Sequence, residues 1–360
     1  MADHTPSNLT PSNLTPGNDH PPISDHVDPR GQQVFQHLPV LAAEVVDGFR
    51  DRRSSSAVVV DATVGLGGHT QVLLDAFDWV QVVGLDRDRQ ALERTRVRLE
   101  RYGQRVRLVH GTMSNLTETV SPVTAVAGVL ADLGVSSMQL DDPARGFSFR
   151  FDATLDMRMD QSNEGMTVAR LLESSTVDDL IGLFRQHGVG SLSRRYATAI
   201  KDALPVTTTG GLAAVIVEAT PAKLRGGRIH PATKVFQALR VSVNDEIDEL
   251  IQFLPAAFAL LDVGGVLQVI SYHSGEDRLV KRFMRHVETG GCLCPPRLGC
   301  TCGATPAGER IQRHAINPSE AEATLNPRSR SAHLRSLRRS ARDVNDVIDR
   351  YWHQVTTWHE

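Results

Sequence analysis

Nowhere in this chain of 360 residues do about 18 apolar residues follow one another, so no membrane span is expected. The most apolar tract, LPAAFALLDVGGVLQVI, is broken by Asp262 and two glycines. An excess of one charge is also lacking. Lys and Arg number 39 and Asp and Glu 42, for a formal net charge of −3. The chain is therefore no polycation, and any nucleic-acid contact must come from local basic patches. Cysteine is scarce. Its four copies crowd into one short segment, which excludes a disulfide framework spread over the fold. The N-terminus has no charged-then-apolar leader pattern. The Asn-Leu-Thr sequons at Asn8 and Asn13 would matter only in a secreted eukaryotic protein, and a cytoplasmic chain is expected. A hydrophobic share of 41% and a charged share of 22% are ordinary for a globular protein.

Residues 1–36, with the repeat TPSNLTPSNLTPGN, are too polar and proline-rich for a core, and disorder is expected there. Order should begin at FQHLPVLAAEVVDGF, where Leu38, Leu41, Val45 and Phe49 recur at helical spacing. AVVVDAT, VQVVGLD, VRLVHG and VAGVLADLG then read as strands separated by helices. That is a βαβ pattern with a buried parallel sheet. After residue 140 the alternation lapses into helical pieces. The expected architecture is an α/β fold over 37–140 and 231–340, interrupted by a helical subdomain at 141–230 and followed by a tail at 341–360. HPATKVFQALRVSVNDEIDELIQFLPAAFALL reads as one helical face, GGVLQVISYHS as a strand returning to the sheet, and ERIQRHAI with SAHLRSLRR as a closing strand pair.

The first strand ends at Asp61, and Gly65, Gly67 and Gly68 follow before a helix. Such a turn brings backbone close to a ligand and aims free N–H groups at it. Asp86 ends the next strand, about twenty residues beyond Gly65, where an acidic side chain can accept from ribose hydroxyls. A dinucleotide site needs G-x-G-x-x-G, but Thr70 stands at the third glycine. The pattern D-x-x-x-G-x-G suits S-adenosylmethionine (SAM) better, since Asp61 favours a cationic ligand over a diphosphate. Asp132 ends a further strand, so Asp61, Asp86 and Asp132 should face one crevice at the carboxyl ends of the sheet.

The segments DATVGLGGHT, GLDRD, DLGVSSMQLDDPARGFSF, LDMRMD, HPATKVFQALRVSVNDEIDEL, SYHSGEDRLVKRF and NPRSRSAHLR closely resemble the bacterial small-subunit rRNA (cytosine-N4)-methyltransferase family over about residues 37–338. The resemblance implies a Rossmann-like SAM-dependent methyltransferase fold with an inserted helical substrate domain. It also implies methylation of a decoding-centre cytosine of 16S rRNA in the small ribosomal subunit. Matched by motif, Gly67, Gly68, His69, Asp86, Met113, Asp132 and Gln139 are expected on the cofactor side, Met113 standing where the family has an aromatic. Asp132 is the candidate catalytic residue, beside the methyl-transfer centre. The chain departs from the family at Gly190 and Ser191, where two glutamates are usual. In SYHSGEDR it departs from the family's SFHSLEDR.

For the RNA, Arg145, Phe147, Phe149 and Arg150 offer stacking and phosphate contact, and the run NPRSRSAHLRSLRRSAR offers more charge, with Arg145 and Arg330 the first to test. Cys292, Cys294, Cys300 and Cys302 form two C-x-C pairs around a Pro-Pro and Gly turn, a set able to hold a structural zinc. A homodimer is left open. A dehydrogenase and a ribosome-assembly module that keeps SAM as a structural ligand are the rival readings. The first is disfavoured by the glycine spacing, the second by the intact strand-end residues.

Overall fold

The computed structural model describes residues 39–359 apart from 52–53, 163, 228 and 296–298. The reading of residues 1–36 lies outside the described residues. Seven strands, β1 (Val58–Asp61), β2 (Gln81–Asp86), β3 (Val106–His110), β4 (Val126–Asp132), β5 (Leu261–Ser271), β6 (Gly308–Arg310) and β7 (His333–Arg339), form one sheet in the order β3-β2-β1-β4-β5-β7-β6. The first five are parallel. β7 runs antiparallel to both β5 and β6. The sheet is the mostly parallel, Rossmann-like α/β sheet expected from the sequence.

Four helices accompany the first half: α1 (Ala42–Arg50), α2 (Gly68–Ala76), α3 (Arg89–Leu99) and α4 (Leu116–Val120). Between β4 and β5 come α5 (Ser137–Asp141), α6 (Val168–Ser174), α7 (Val177–Gln186), α8 (Ser193–Asp202), α9 (Thr209–Ala219), α10 (Ala222–Arg225), α11 (Ala232–Val243) and α12 (Glu246–Leu260). The rest are α13 (Ser274–Thr289), α14 (Glu320–Leu325) and α15 (Asn345–Val355).

Successive strand residues point to opposite faces, so the Val- and Leu-rich strands bury both. Val60, Val83, Leu85, Val129 and Leu267 pack with residues of α4, α12, α13 and α15. Val59, Val82, Leu130, Val266 and Ile270 pack with α1 and α2 on the other side. Gly128 lets α1 settle there, because a Cβ at that position would lie 2.1 Å from the Phe49 ring.

The helices between β4 and β5 have a core of their own, built on Leu155, Leu172, Leu180, Phe184, Ile200, Leu212 and Ile216. Threonines start three of them. Thr167, Thr176 and Thr208 each accept a backbone N–H of the first turn, which satisfies an orphan donor. Three details differ from the sequence reading. The long helix expected across 230–261 is two helices, because Asp245 takes a left-handed conformation (φ 51°). α11 packs Val235, Phe236, Ala238 and Leu239 into the helical core rather than against the sheet. The tail at 341–360, read as helical and then fraying, does form α15, but rather than standing apart as a tail it places Val347, Tyr351 and Val355 in the core on one sheet face.

Candidate active site

The carboxyl ends of β1, β2, β4 and β5 meet at one crevice. The loop leaving β1 stays tied to both neighbours: Ala62 N donates to Leu130 O at 2.8 Å and Val64 N to Leu85 O at 2.9 Å. The glycine turn follows, with Gly65 (φ 50°) and Gly67 (φ 77°) in the left-handed region. The two glycines serve different ends. A Cβ on Gly67 would run into Thr95 and Leu99 of α3, so that glycine allows helix–turn packing. A Cβ on Gly65 would have only Thr63 O within 4 Å, at 3.8 Å, so that side is open. Gly67 precedes α2 with no side-chain cap, which leaves first-turn N–H groups without a capping acceptor at the start of Gly68 and His69.

Asp86 is held by backbone. One oxygen accepts Gly65 N at 2.7 Å and the other Asp88 N at 2.8 Å. Burial pushes its carboxyl up to about 6. Each oxygen keeps a further lone-pair site for a ligand hydroxyl. Met113, in the turn Met113–Asn115 after β3, is half-buried against the core and beside α12.

Asp132 has the densest surroundings. Its N–H donates to Thr63 Oγ1 at 2.6 Å, and its Oδ1 accepts the Tyr272 hydroxyl at 2.7 Å. Its Oδ2 lies 3.7 Å from His69 Nδ1. Burial raises the Asp132 carboxyl above the ordinary range, and burial beside that carboxylate raises the Tyr272 phenol. His69 is buried, with Nε2 2.8 Å from Val40 O.

The other expected residues have the following partners. Asp61 is buried and accepts the Thr70 hydroxyl at 2.7 Å. Gln139 is buried in a capping box and donates to Asp88 Oδ2 at 3.0 Å. Arg145, expected to reach RNA, is 2% exposed. Its Nη1 donates to the same Asp88 oxygen at 2.9 Å, and its Nη2 to the carbonyls of Arg158 and Met159. Its guanidinium also lies 6.0 Å from the centre of the buried Phe147 ring, which belongs to the helical core. Phe149 is half-buried and stacks on His230 at 4.6 Å. In the basic run, Arg335 forks onto Asp277, Arg338 reaches Asp51 and Gly264, and Arg339 binds carbonyls of Ala259 and Leu261. Arg330 is exposed. The four cysteines lie away from the crevice, after α13.

Comparison with known proteins fits this geometry. The model of the MraW methylase family matches residues 34–340. The chain belongs to the MraW methylase family. It is 45% identical over 316 residues to the ribosomal RNA small subunit methyltransferase H of Syntrophotalea carbinolica, covering 86% of this chain and 99% of that one. It is likewise 45% identical to the Frankia alni protein of the same name, over 85% and 95% of the two chains. Among solved structures, an rRNA methylase from Streptococcus thermophilus aligns over 83% of this chain and 95% of its own at 13% identity, with a TM-score of 0.37.

Two residues of this MraW methylase escaped the sequence reading. Tyr272 follows β5, and the strand-end rule that singled out Asp86 and Asp132 would have found it had it been applied to β5. Asp88 lies in GLDRD but reads as a helix cap, which it also is: its Oδ1 accepts Gln90 N and Ala91 N. Among the described residues, no helix is long and apolar enough to cross a membrane.

Proposed function

We propose that this chain transfers the methyl group of SAM to the exocyclic N4 amine of a decoding-centre cytosine of 16S rRNA, in the small ribosomal subunit and in the cytoplasm. The observation that carries this reading is the Asp132 carboxylate. One oxygen is fixed by Tyr272, the other faces His69, and both share a crevice with the backbone-held Asp86.

The residues present fit the cofactor. Asp86 has acceptor capacity left for ribose hydroxyls. The open side of Gly65 and the uncapped start of α2, at Gly67, Gly68 and His69, suit its polar atoms. Met113 offers a flexible thioether to cover the adenine, and Gln139 acts from behind by holding Asp88. SAM supplies an electrophilic methyl group when bound.

The protein's task is to position the amine and take its proton. A cytosine amine is a poor nucleophile because its lone pair is delocalised, so an acceptor on its N–H sharpens it. Asp132 is that acceptor. Asp132 also takes the proton that the amine sheds. His69 positions it: the Val40 carbonyl can only accept, so His69 Nε2 carries a hydrogen, and this contact holds Nδ1 3.7 Å from Asp132 Oδ2. The target base must leave its stack to reach this crevice, and the helical region at 141–230 is proposed to hold the surrounding RNA, with Arg330 on the nearby surface.

The test uses the purified protein, methyl-labelled SAM and undermethylated small ribosomal subunits, followed by digestion and identification of the labelled nucleoside. N4-methylcytidine is expected. Label on another nucleoside, or none with SAM bound, overturns the reading.

A further inference from the structure

We propose that Cys292, Cys294, Cys300 and Cys302 bind one zinc ion in a closed structural site that fastens the segment after α13 to the C-terminal helix. This does not rest on the methyl-transfer reading. The four sulfur atoms all lie within 4.8 Å of one another, with Cys292–Cys300 and Cys300–Cys302 each at 3.5 Å. A tetrahedral ion with Zn–S bonds of about 2.3 Å requires sulfur separations of about 3.8 Å, inside that range. A disulfide requires about 2.05 Å, well outside it. Packing does not account for the set either. Cysteine is normally a buried residue, whereas Cys300 and Cys302 are exposed and Cys292 and Cys294 half-buried.

Location assigns the role. α13 begins at the crevice, just after β5, and its 16 residues carry the chain about 24 Å away. The strand that follows the cysteines, β6, pairs at Gly308 with Arg339, at the end of β7 remote from the crevice. The cysteines therefore sit at the opposite end of the sheet from Asp86 and Asp132. Four protein ligands leave no open position for a reacting water. The segment is tied to α15 on both sides of the cluster: Gln354 donates to Gly291 O at 2.9 Å and Arg350 to Cys302 O at 3.2 Å. The Arg350 cation also lies beside the net negative charge that four thiolates and one zinc leave.

Full-length protein from zinc-supplemented cells, kept reduced and free of chelator, should hold one zinc per chain by mass spectrometric metal analysis. X-ray absorption should show four sulfur neighbours. Cys300→Ser and Cys302→Ser should each lose the zinc yet bind SAM with unchanged affinity, since the crevice lies at the other end. Wild-type protein that binds SAM but holds no zinc, and takes none up against a colorimetric chelator, overturns the proposal. So does protein whose four cysteines are paired in disulfides.

Discussion

Replacing Arg145 by alanine separates a structural arginine from an RNA-binding one. Its Nη1 is 2.9 Å from Asp88 Oδ2, and both side chains are almost fully buried, at 3% and 4% exposure. Removing one partner of such a pair costs about 3–5 kcal/mol, because the other charge remains buried. Here Asp88 would keep Gln139 and the start of α3, which favours the lower half of that range, while the carbonyls of Arg158 and Met159 would lose a donor. A loss of about 3–4 kcal/mol is expected, or a folded-to-unfolded ratio some hundred- to a thousandfold smaller. Urea unfolding followed by circular dichroism, with the slope checked for constancy, reads it directly. Arg145→Lys should recover only part, since an ammonium cannot serve the carboxylate and both carbonyls as a planar fork does. Arg330→Ala is the contrast: stability within about 0.5 kcal/mol of wild type, weaker RNA binding, and a salt dependence shallower by about one ion. If Arg145→Ala unfolds at the wild-type urea concentration and only RNA affinity falls, the strut reasoning is wrong.

Asp132→Asn should lower kcat by about a hundredfold or more while SAM affinity stays near wild type; equal activity removes Asp132 from the chemistry. Tyr272→Phe deletes a hydrogen bond to the ionised Asp132, so its carboxyl should rise further. The acidic limb of the kcat profile should then move to higher pH with the plateau little changed, and an unmoved limb refutes the link. Asp86→Asn should weaken SAM about ten- to a hundredfold by calorimetry, the value of a charge-assisted hydrogen bond. With the Asp86 carboxyl at about 6, wild-type SAM affinity should itself fall as pH drops through 6; a constant affinity from pH 8 to 5 contradicts it. Folding runs the other way. The folded state holds this proton more tightly than the unfolded chain, so the contribution of Asp86 to stability is complete below the ordinary carboxylate range and is lost as pH rises through about 6.

The sheet and its crevice were legible because their signals are local. Buried parallel strands are short Val- and Leu-rich runs, and strand-end aspartates mark the ligand side whatever packs around them. The resemblance supplied the chemistry. What stayed hidden depends on partners far along the chain. Arg145 reads as a surface cation until Asp88, 57 residues away, is seen beside it. The arginines of the last strand read as an RNA patch, yet Arg335 and Arg338 neutralise Asp277 and Asp51. Asp245 interrupts a helix whose apolar period runs on undisturbed, because Asn244 beside it braces Met157 and Met159 from the inserted region.

The inserted helices also impose a schedule on biosynthesis. β4 and β5 are hydrogen-bonded neighbours, yet β5 is made only after everything between Asp132 and Leu261 has been made. A closed loop of roughly 130 residues costs only about 2 kcal/mol more than one of ten, so the finished fold tolerates the detour. The nascent chain fares differently. At ~5–20 residues per second, the apolar β4 waits ~6–26 seconds for its neighbour. Throughout that wait it presents an unpaired edge of the kind that recruits other chains. The ribosome that this enzyme is proposed to modify is thus also where its own half-built sheet is most exposed to aggregation, and a chaperone that covers β4 during translation should raise its soluble yield.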